Sequence, residues 1–265
     1  MIQVAPIQLG ASLLRVLSIM RAANSFRFYF SFRSPFAAIA IYRLRRAAQF
    51  SNFDIELIPV WPENIFGGHM DNPTDNIFKM SYLFVDAARQ ADDAGINASF
   101  FRALAKNFTL KNDVDYASEK LGIQIPNENW GLTHHAFNFA QDEGRGWAFA
   151  DAVCIRRFDF DGQGPQDVMN PMVLRQIASQ VGIDPDKAVN AQGSGLYDER
   201  QAAFIKSSEV DGVFGVPFFA IERDEGAEVF WGNDRLGFLL KSLTDVESMP
   251  VIPQVDASAI QSTRR

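Results

Sequence analysis

Residues 26–32, "FRFYFSF", set Phe26, Phe28, Phe30 and Phe32 against Arg27, Tyr29 and Ser31. A two-residue period of this kind predicts a β-strand with one strongly apolar face. Ser34-Pro35 follows, and proline suits the first turn of a helix because its missing N–H costs nothing there. Phe36, Ile39, Ala40, Leu44, Ala47 and Ala48 then recur on one helical face, with Arg43, Arg45 and Arg46 mostly off it. The pattern predicts an amphipathic helix from Pro35 to about Phe50. "FDIELIPVW" (Phe53–Trp61) reads as the next strand. Strand, helix and strand in about 35 residues make a βαβ unit, which requires a parallel strand pair.

The middle of the chain has a different period. From Thr74 to about Tyr197 the pattern is mostly helical, with Gly95, Gly122, Gly144 and Gly182 placed where helices stop. Strands return at "GVPFFAIE" (Gly215–Glu222) and "AEVFWG" (Ala227–Gly232), joined through "RDEG" as a hairpin. Asn233 is placed to cap a last helix, "DRLGFLLKSL". Beyond Leu243 the composition turns to Ser, Thr, Pro and Gln, an extended or disordered tail. The order is β-α-β, a helical block of about 120 residues, then β-β-α. The expected organisation is an extension (1–25), one α/β domain from 26–73 and 198–243, a helical domain inserted at 74–197, and a tail (244–265).

Composition narrows the function. The 265 residues are 47% hydrophobic with 24 Phe, enough for a large aromatic core, and the net charge is −7. That charge argues against nucleic acid and against an acidic membrane surface, and an anionic ligand needs a local positive site. No apolar run reaches the about 18–20 residues of a membrane span. The first twenty residues lack a basic start and carry Arg15, so they do not read as a secretion signal. A single cysteine, Cys154, supplies no disulfide framework, CxxC pair or cysteine zinc site. A reducing compartment, the cytoplasm, is expected. His69 and Asp71 share a loop, and His134 and His135 are adjacent on a helix. Adjacent helical histidines diverge, whereas helical zinc pairs are spaced i, i+4, so no metal is expected. One of His134 and His135 is a candidate to line a substrate cleft as a general acid.

Three segments together resemble a known family. "FYFSFRSPF" is a strand ending in Ser-Pro-aromatic, "GVFGVPFF" (Gly212–Phe219) carries Val-Pro at the start of a strand, and "FWGNDRLGFL" (Phe230–Leu239) is an aromatic-Gly-polar-Asp-Arg run. In order and spacing they are similar to 2-hydroxychromene-2-carboxylate isomerases and kappa-class glutathione transferases. Both belong to the DsbA-like branch of the thioredoxin fold. The resemblance implies an α/β thioredoxin-like fold with a large inserted helical domain, glutathione as cofactor, a homodimer, and a small conjugated acid from aromatic catabolism as substrate. It also implies reversible addition of thiolate to that substrate. A kappa-like transferase, or a non-catalytic thioredoxin-fold protein that binds a peptide or partner, are the alternative readings.

The resemblance assigns roles residue by residue. Ser34 stands where redox relatives carry a cysteine, and its hydroxyl would donate to the glutathione sulfur. A helix N-terminus favours a thiolate; the alternative is that Ser34 only caps the helix. Val216 and Pro217 would pair with the cysteinyl backbone if their bond is cis; otherwise Pro217 simply opens an edge strand. Asp234 would hold the γ-glutamyl ammonium and Asn233 the adjacent carboxylate, unless the two are only caps. Asn72 and Lys79 are the matches for a further glutathione contact, and Trp61 for a wall of the cleft. Residues 97–130 are longer than the family pattern, which leaves the substrate open.

Overall fold

The computed structural model describes residues 25–60, 77–111, 130–193, 195–224 and 226–244. Strand β1 is Ser25–Phe30 and β2 is Asp54–Pro59. Near the other end of the chain, β3 is Phe218–Arg223 and β4 is Gly226–Trp231. All four join one sheet in the order β2-β1-β3-β4. β1 runs parallel to β2 and antiparallel to β3, and β4 pairs antiparallel with β3. The two ends of the sequence therefore complete each other, as expected of a thioredoxin-like fold. Every described element between β2 and β3 is helical: α2 (Ile77–Asp93), α3 (Ser99–Lys111), α4 (Trp130–Asp142), α5 (Gly146–Phe158), α6 (Pro171–Val181), α7 (Pro185–Asn190) and α8 (Leu196–Val210). The boundary expected at 197/198 falls inside the first turn of α8.

Helix α1 (Pro35–Arg46) forms as its sequence dictates. Ser34 caps it, Pro35 opens it, and Ala37, Ala38, Ile39, Ala40, Ile41 and Leu44 are buried. It packs on the face of the sheet that carries Phe26, Phe28, Phe30 and Phe219. There Phe28 stacks on Phe219 with centroids 4.9 Å apart, and Phe26 meets the same ring edge-on at 6.2 Å. Truncating one such ring to alanine costs about 3–5 kcal/mol. The same core continues into the helices through Phe101, Phe137, Phe149 and Phe158.

The opposite face carries Tyr29, Ile58, Phe218 and Ala220, with Phe204 of α8 packed against it. Here β1 departs from simple alternation, because its polar side is buried as well. Asp211, just past α8, accepts from Arg27 Nε at 2.6 Å and from Arg27 Nη2 at 2.9 Å. Tyr29 donates its hydroxyl hydrogen to the same carboxylate at 2.6 Å and lies 2.7 Å from Ser207 Oγ.

Other boundaries shift for identifiable reasons. β1 stops at Phe30, not Phe32, because the Ser34 N–H donates to Ser31 O at 3.0 Å and closes a turn. Phe32 is nevertheless fully buried, edge-on to Phe30 and Phe137. α1 ends at Arg46 rather than near Phe50, since Ala47 is extended. The 3₁₀ turn Ala48–Phe50 then drops Phe50 against Phe26. β3 begins at Phe218, so 215–217 form the approach to the strand. Asn233 does not cap the last helix, α9 (Leu236–Thr244): a 3₁₀ turn, Asn233–Arg235, precedes it, flanked by Gly232 with no side-chain cap.

The free edge at β2 is blunted. Val60 N–H bonds Phe30 O, so by alternation Leu57 and Pro59 present their backbone outward. Pro59 has no N–H to offer there, and the two carbonyls accept from Gln141 Nε2 of α4 at 3.0 Å and Gln201 Nε2 of α8 at 2.8 Å.

Candidate functional site

The C-terminal ends of β1 and β2, the start of α1 and the approach to β3 all meet at one end of the sheet. Ser34 occupies that junction with the extended dihedrals of an N-cap (φ −84°, ψ 120°). Its Oγ accepts the Ala37 N–H at 3.2 Å and donates to the Val216 carbonyl at 3.3 Å. The Val216-Pro217 bond is cis. Residues 182 apart in sequence are thus brought to hydrogen-bond distance, and both Ser34 and Val216 keep part of their surface open. Capping and donation do not compete. The cap uses a lone pair of Oγ, while the hydroxyl hydrogen is spent on a long bond that a better acceptor can take over.

Despite the net −7 of the chain, the start of α1 brings partial positive charge to this end. The first N–H groups of α1 and its dipole point here. Arg33 precedes Ser34, and Arg157 of α5 is close enough to feel it. Burial, and then the Arg33 charge, lower Arg157 to about 10 against the opposing pull of Asp167, which leaves it protonated at neutral pH.

The approach to Val216 is anchored from the far face. Asp211, held by Arg27 and Tyr29, fixes the end of α8 five residues before Val216. On the other side the Gly232 N–H donates to Pro217 O at 2.9 Å, tying the end of β4 to the same peptide. Sequence pattern does not reveal this anchoring, because the partners of Arg27 and Tyr29 are more than 175 residues away.

The remaining expected residues distribute unevenly. Asp234, two residues past Gly232, is exposed and already lies 3.6 Å from Arg235 Nη2, an ion pair in solvent. Asn233 is buried, and its amide N–H donates to Gln90 Oε1 of α2, which braces the turn before α9 against α2, while its Oδ1 makes no hydrogen bond among the described residues. Lys79 is exposed in the first turn of α2. Asn72 and Trp61 lie outside the described residues.

His134 and His135 are both buried in α4 rather than lining an open cleft. His134 sits edge-on to Phe32, two residues before Ser34, with centroids 5.4 Å apart. His135 places Nε2 3.2 Å from Asp198 and its ring over Tyr197. Burial lowers its pKa, against the opposing pull of Asp198, so it is neutral at pH 7 and ill-suited to the role of general acid. Among the described residues no group of three or more His, Cys, Asp or Glu could hold a metal ion, and no helix is long and apolar enough to cross a membrane.

Comparison with known proteins agrees with this fold. Residues 26–244 match the family described as the DSBA-like thioredoxin domain. The chain is 26% identical over 225 residues to 2-hydroxychromene-2-carboxylate isomerase of Sphingobium xenophagum, covering 82% of this chain and 97% of that protein. It is 27% identical over 219 residues to the protein of that name from Pseudomonas sp. (strain C18), covering 81% and 87%. A solved structure of 2-hydroxychromene-2-carboxylate isomerase superposes with a TM-score of 0.62 at 23% identity, over 83% of this chain and 94% of that one. The cytosolic disulfide reductase DsbM of Pseudomonas aeruginosa gives 0.54 at 16% identity, over 83% and 95%. A four-stranded sheet closed by both ends of the chain, a helix start facing a cis X-Pro bond, and a match that runs from β1 to α9 lead to one conclusion: the chain belongs to the DSBA-like thioredoxin-domain family.

Proposed function

We propose that this protein is a glutathione-dependent isomerase acting on 2-hydroxychromene-2-carboxylate or a closely related conjugated aryl acid. One observation carries the reading: a serine hydroxyl at the N-terminus of α1, 3.3 Å from the Val216 carbonyl, where a redox relative needs a cysteine. With Cys154 buried in α5, the chain brings no thiol of its own to this end of the sheet. The names of its relatives supply the substrate class.

The residues present fit glutathione. The Ser34 hydroxyl offers a donor, and the Val216 carbonyl, released from it, offers an acceptor to a peptide N–H. Asp234 offers a carboxylate to an ammonium, and Lys79 and Asn72 are carried as further contacts. Bound glutathione would supply a thiolate that adds reversibly to an electron-poor conjugated carbon, so that a double bond becomes single and can rotate. The chain's part is to hold sulfur in its anionic form with Ser34 and the start of α1, and to keep substrate and sulfur in register through Val216. No atoms are gained or lost overall, so glutathione returns unchanged. On this reading the protein works as a homodimer in a reducing cytoplasm.

The test is an absorbance assay of 2-hydroxychromene-2-carboxylate with and without glutathione, for the wild type and Ser34→Ala. The proposal expects turnover that requires glutathione and falls at least about tenfold in the variant, the loss of one transition-state hydrogen bond. Turnover without glutathione would refute it, and a stable glutathione adduct in the mass spectrum would make the protein a transferase.

A further inference from the structure

Among the aromatic residues of the four strands, only Trp231 is exposed; the others are buried or half-buried. It stands at the end of β4, 54% exposed, beside a second exposed ring, Phe214, at 46%. The two meet edge to face, with centroids 4.9 Å apart and planes at 66°. Phe214 in turn rests edge-on against Phe218, which is 1% exposed, so the corner is rooted in the core. Rings in solvent at this density are costly to leave uncovered.

Their position relates them to Ser34. Gly215 has no side chain, and a Cβ built there would lie 2.7 Å from Trp231 Nε1. The indole edge therefore lies against the Gly215 backbone, and the next residue, Val216, is the one that accepts the Ser34 hydrogen bond. The indole N–H is a donor and nothing else, carried on a ring that is open to solvent. The corner thus offers an L-shaped apolar wall and one N–H donor, packed on Gly215, the residue before Val216 in the chain.

We infer that Phe214, Gly215 and Trp231 form the subsite for the flat aryl ring of the substrate, with the Trp231 indole N–H donating to an oxygen carried by that ring or its side chain. The inference rests on the function proposed above and adds to it where the substrate lies. A planar ring satisfies the geometry because it can cover one open ring face while its edge meets the other. An oxygen acceptor satisfies the N–H. Gly215 is a specificity element on this account, since any side chain would push the indole away from Val216.

The experiment uses trans-2-hydroxycinnamate, a planar aryl acid, titrated by calorimetry onto the full chain with and without saturating glutathione. Variants are Trp231→Ala, Trp231→Phe and Phe214→Ala, with glutathione titrated separately onto each. Removing the wall in Trp231→Ala is expected to raise the hydroxycinnamate Kd about tenfold, and removing only the N–H in Trp231→Phe about threefold. Glutathione Kd should stay within about twofold of wild type in all, and this also shows that the variants are folded. Tryptophan fluorescence should be quenched by hydroxycinnamate in the wild type, and the quenching should be smaller in Trp231→Phe, which keeps the other three tryptophans. No hydroxycinnamate binding by the wild type at millimolar concentration overturns the inference, as does an unchanged Kd in Trp231→Ala. Failure of the wild type to bind glutathione overturns the proposed function instead, and leaves the titration without glutathione to decide this subsite by itself.

Discussion

Tyr29→Phe tests the anchoring of the site from the far face of the sheet. The phenol is fully buried and donates to Asp211 at 2.6 Å, a hydrogen bond to a charged acceptor. Such bonds contribute about 1.5–3 kcal/mol net. Asp211 keeps both bonds from Arg27 in the variant, so the lower half of that range applies, about 2 kcal/mol at pH 7. With a urea m-value of about 2–3 kcal/mol/M for a chain of this size, the midpoint should fall by about 0.7–1 M. The pH dependence gives a second reading. Burial first, and then the Asp211 charge, raise the Tyr29 pKa far above its usual 10. A raised folded pKa means stability that is complete below pH 10 and is lost as the pH climbs, because only the unfolded chain then ionises its phenol. The wild type should therefore lose about 1.4 kcal/mol per pH unit above 10 that Tyr29→Phe does not lose. The gap between the two proteins should narrow by about that much between pH 9 and 11. Equilibrium urea unfolding at pH 7, 9 and 11 measures both effects. A gap below about 0.5 kcal/mol at pH 7, or one that widens with pH, would refute the reasoning.

Three further predictions concern other buried groups. Glu228 is buried, accepts from Arg223 at 2.7 Å and from Ser242 Oγ at 2.5 Å, and so joins the β3–β4 hairpin to α9. Because Arg223 is about a third exposed, Glu228→Gln should cost about 1–2 kcal/mol in urea unfolding, less than a fully buried pair. Burial, with a contribution from Asp151, raises the Cys154 thiol well above its ordinary range. Native protein should react with an aromatic disulfide reagent at least about a hundredfold more slowly than protein in urea, and a matched rate would contradict the buried placement. The lowered pKa of His135 means stability present above its unfolded value of 6.5 and lost as the pH falls below it. A His135→Gln variant should show a flatter stability curve between pH 7 and 5 than the wild type.

Much of the fold was legible because its strongest signals are local. The Phe26–Phe32 alternation, Pro35 behind Ser34 and the hairpin before Asn233 each declare one element within about ten residues. The pairing of the two ends followed from element order, since neither half makes a sheet by itself. What was not legible depends on partners distant in sequence. Arg27 and Tyr29 stand out in the sequence only as the side opposite the phenylalanines, and nothing there shows that α8 brings Asp211 and Ser207 over them. Phe32 continues the strand period but is buried by a turn, against Phe137 of α4. Asn233 has the chemistry of a cap or ligand contact, and only the packing of α2 shows that its side-chain N–H goes to Gln90. The adjacent histidines were visible as residues, but their burial against Phe32 and Tyr197 was not. Trp231 and Phe214 are 17 residues apart, and Gly215, read as part of a strand, is what lets the indole settle beside Val216.

The central claim is that Ser34 stabilises a bound thiolate. Glutathione binding by calorimetry, in buffers of different ionisation enthalpy across pH 6–9, measures it directly for the wild type and Ser34→Ala. Losing the cap to Ala37 costs about 1 kcal/mol, a small part of a domain's stability, so the variant remains folded. The account predicts that the wild type binds and, near pH 7, releases a proton as the thiol ionises, whereas Ser34→Ala binds with less release. Equal proton release by both proteins, or no binding by either at millimolar glutathione, would contradict it and leave Ser34 as a helix cap.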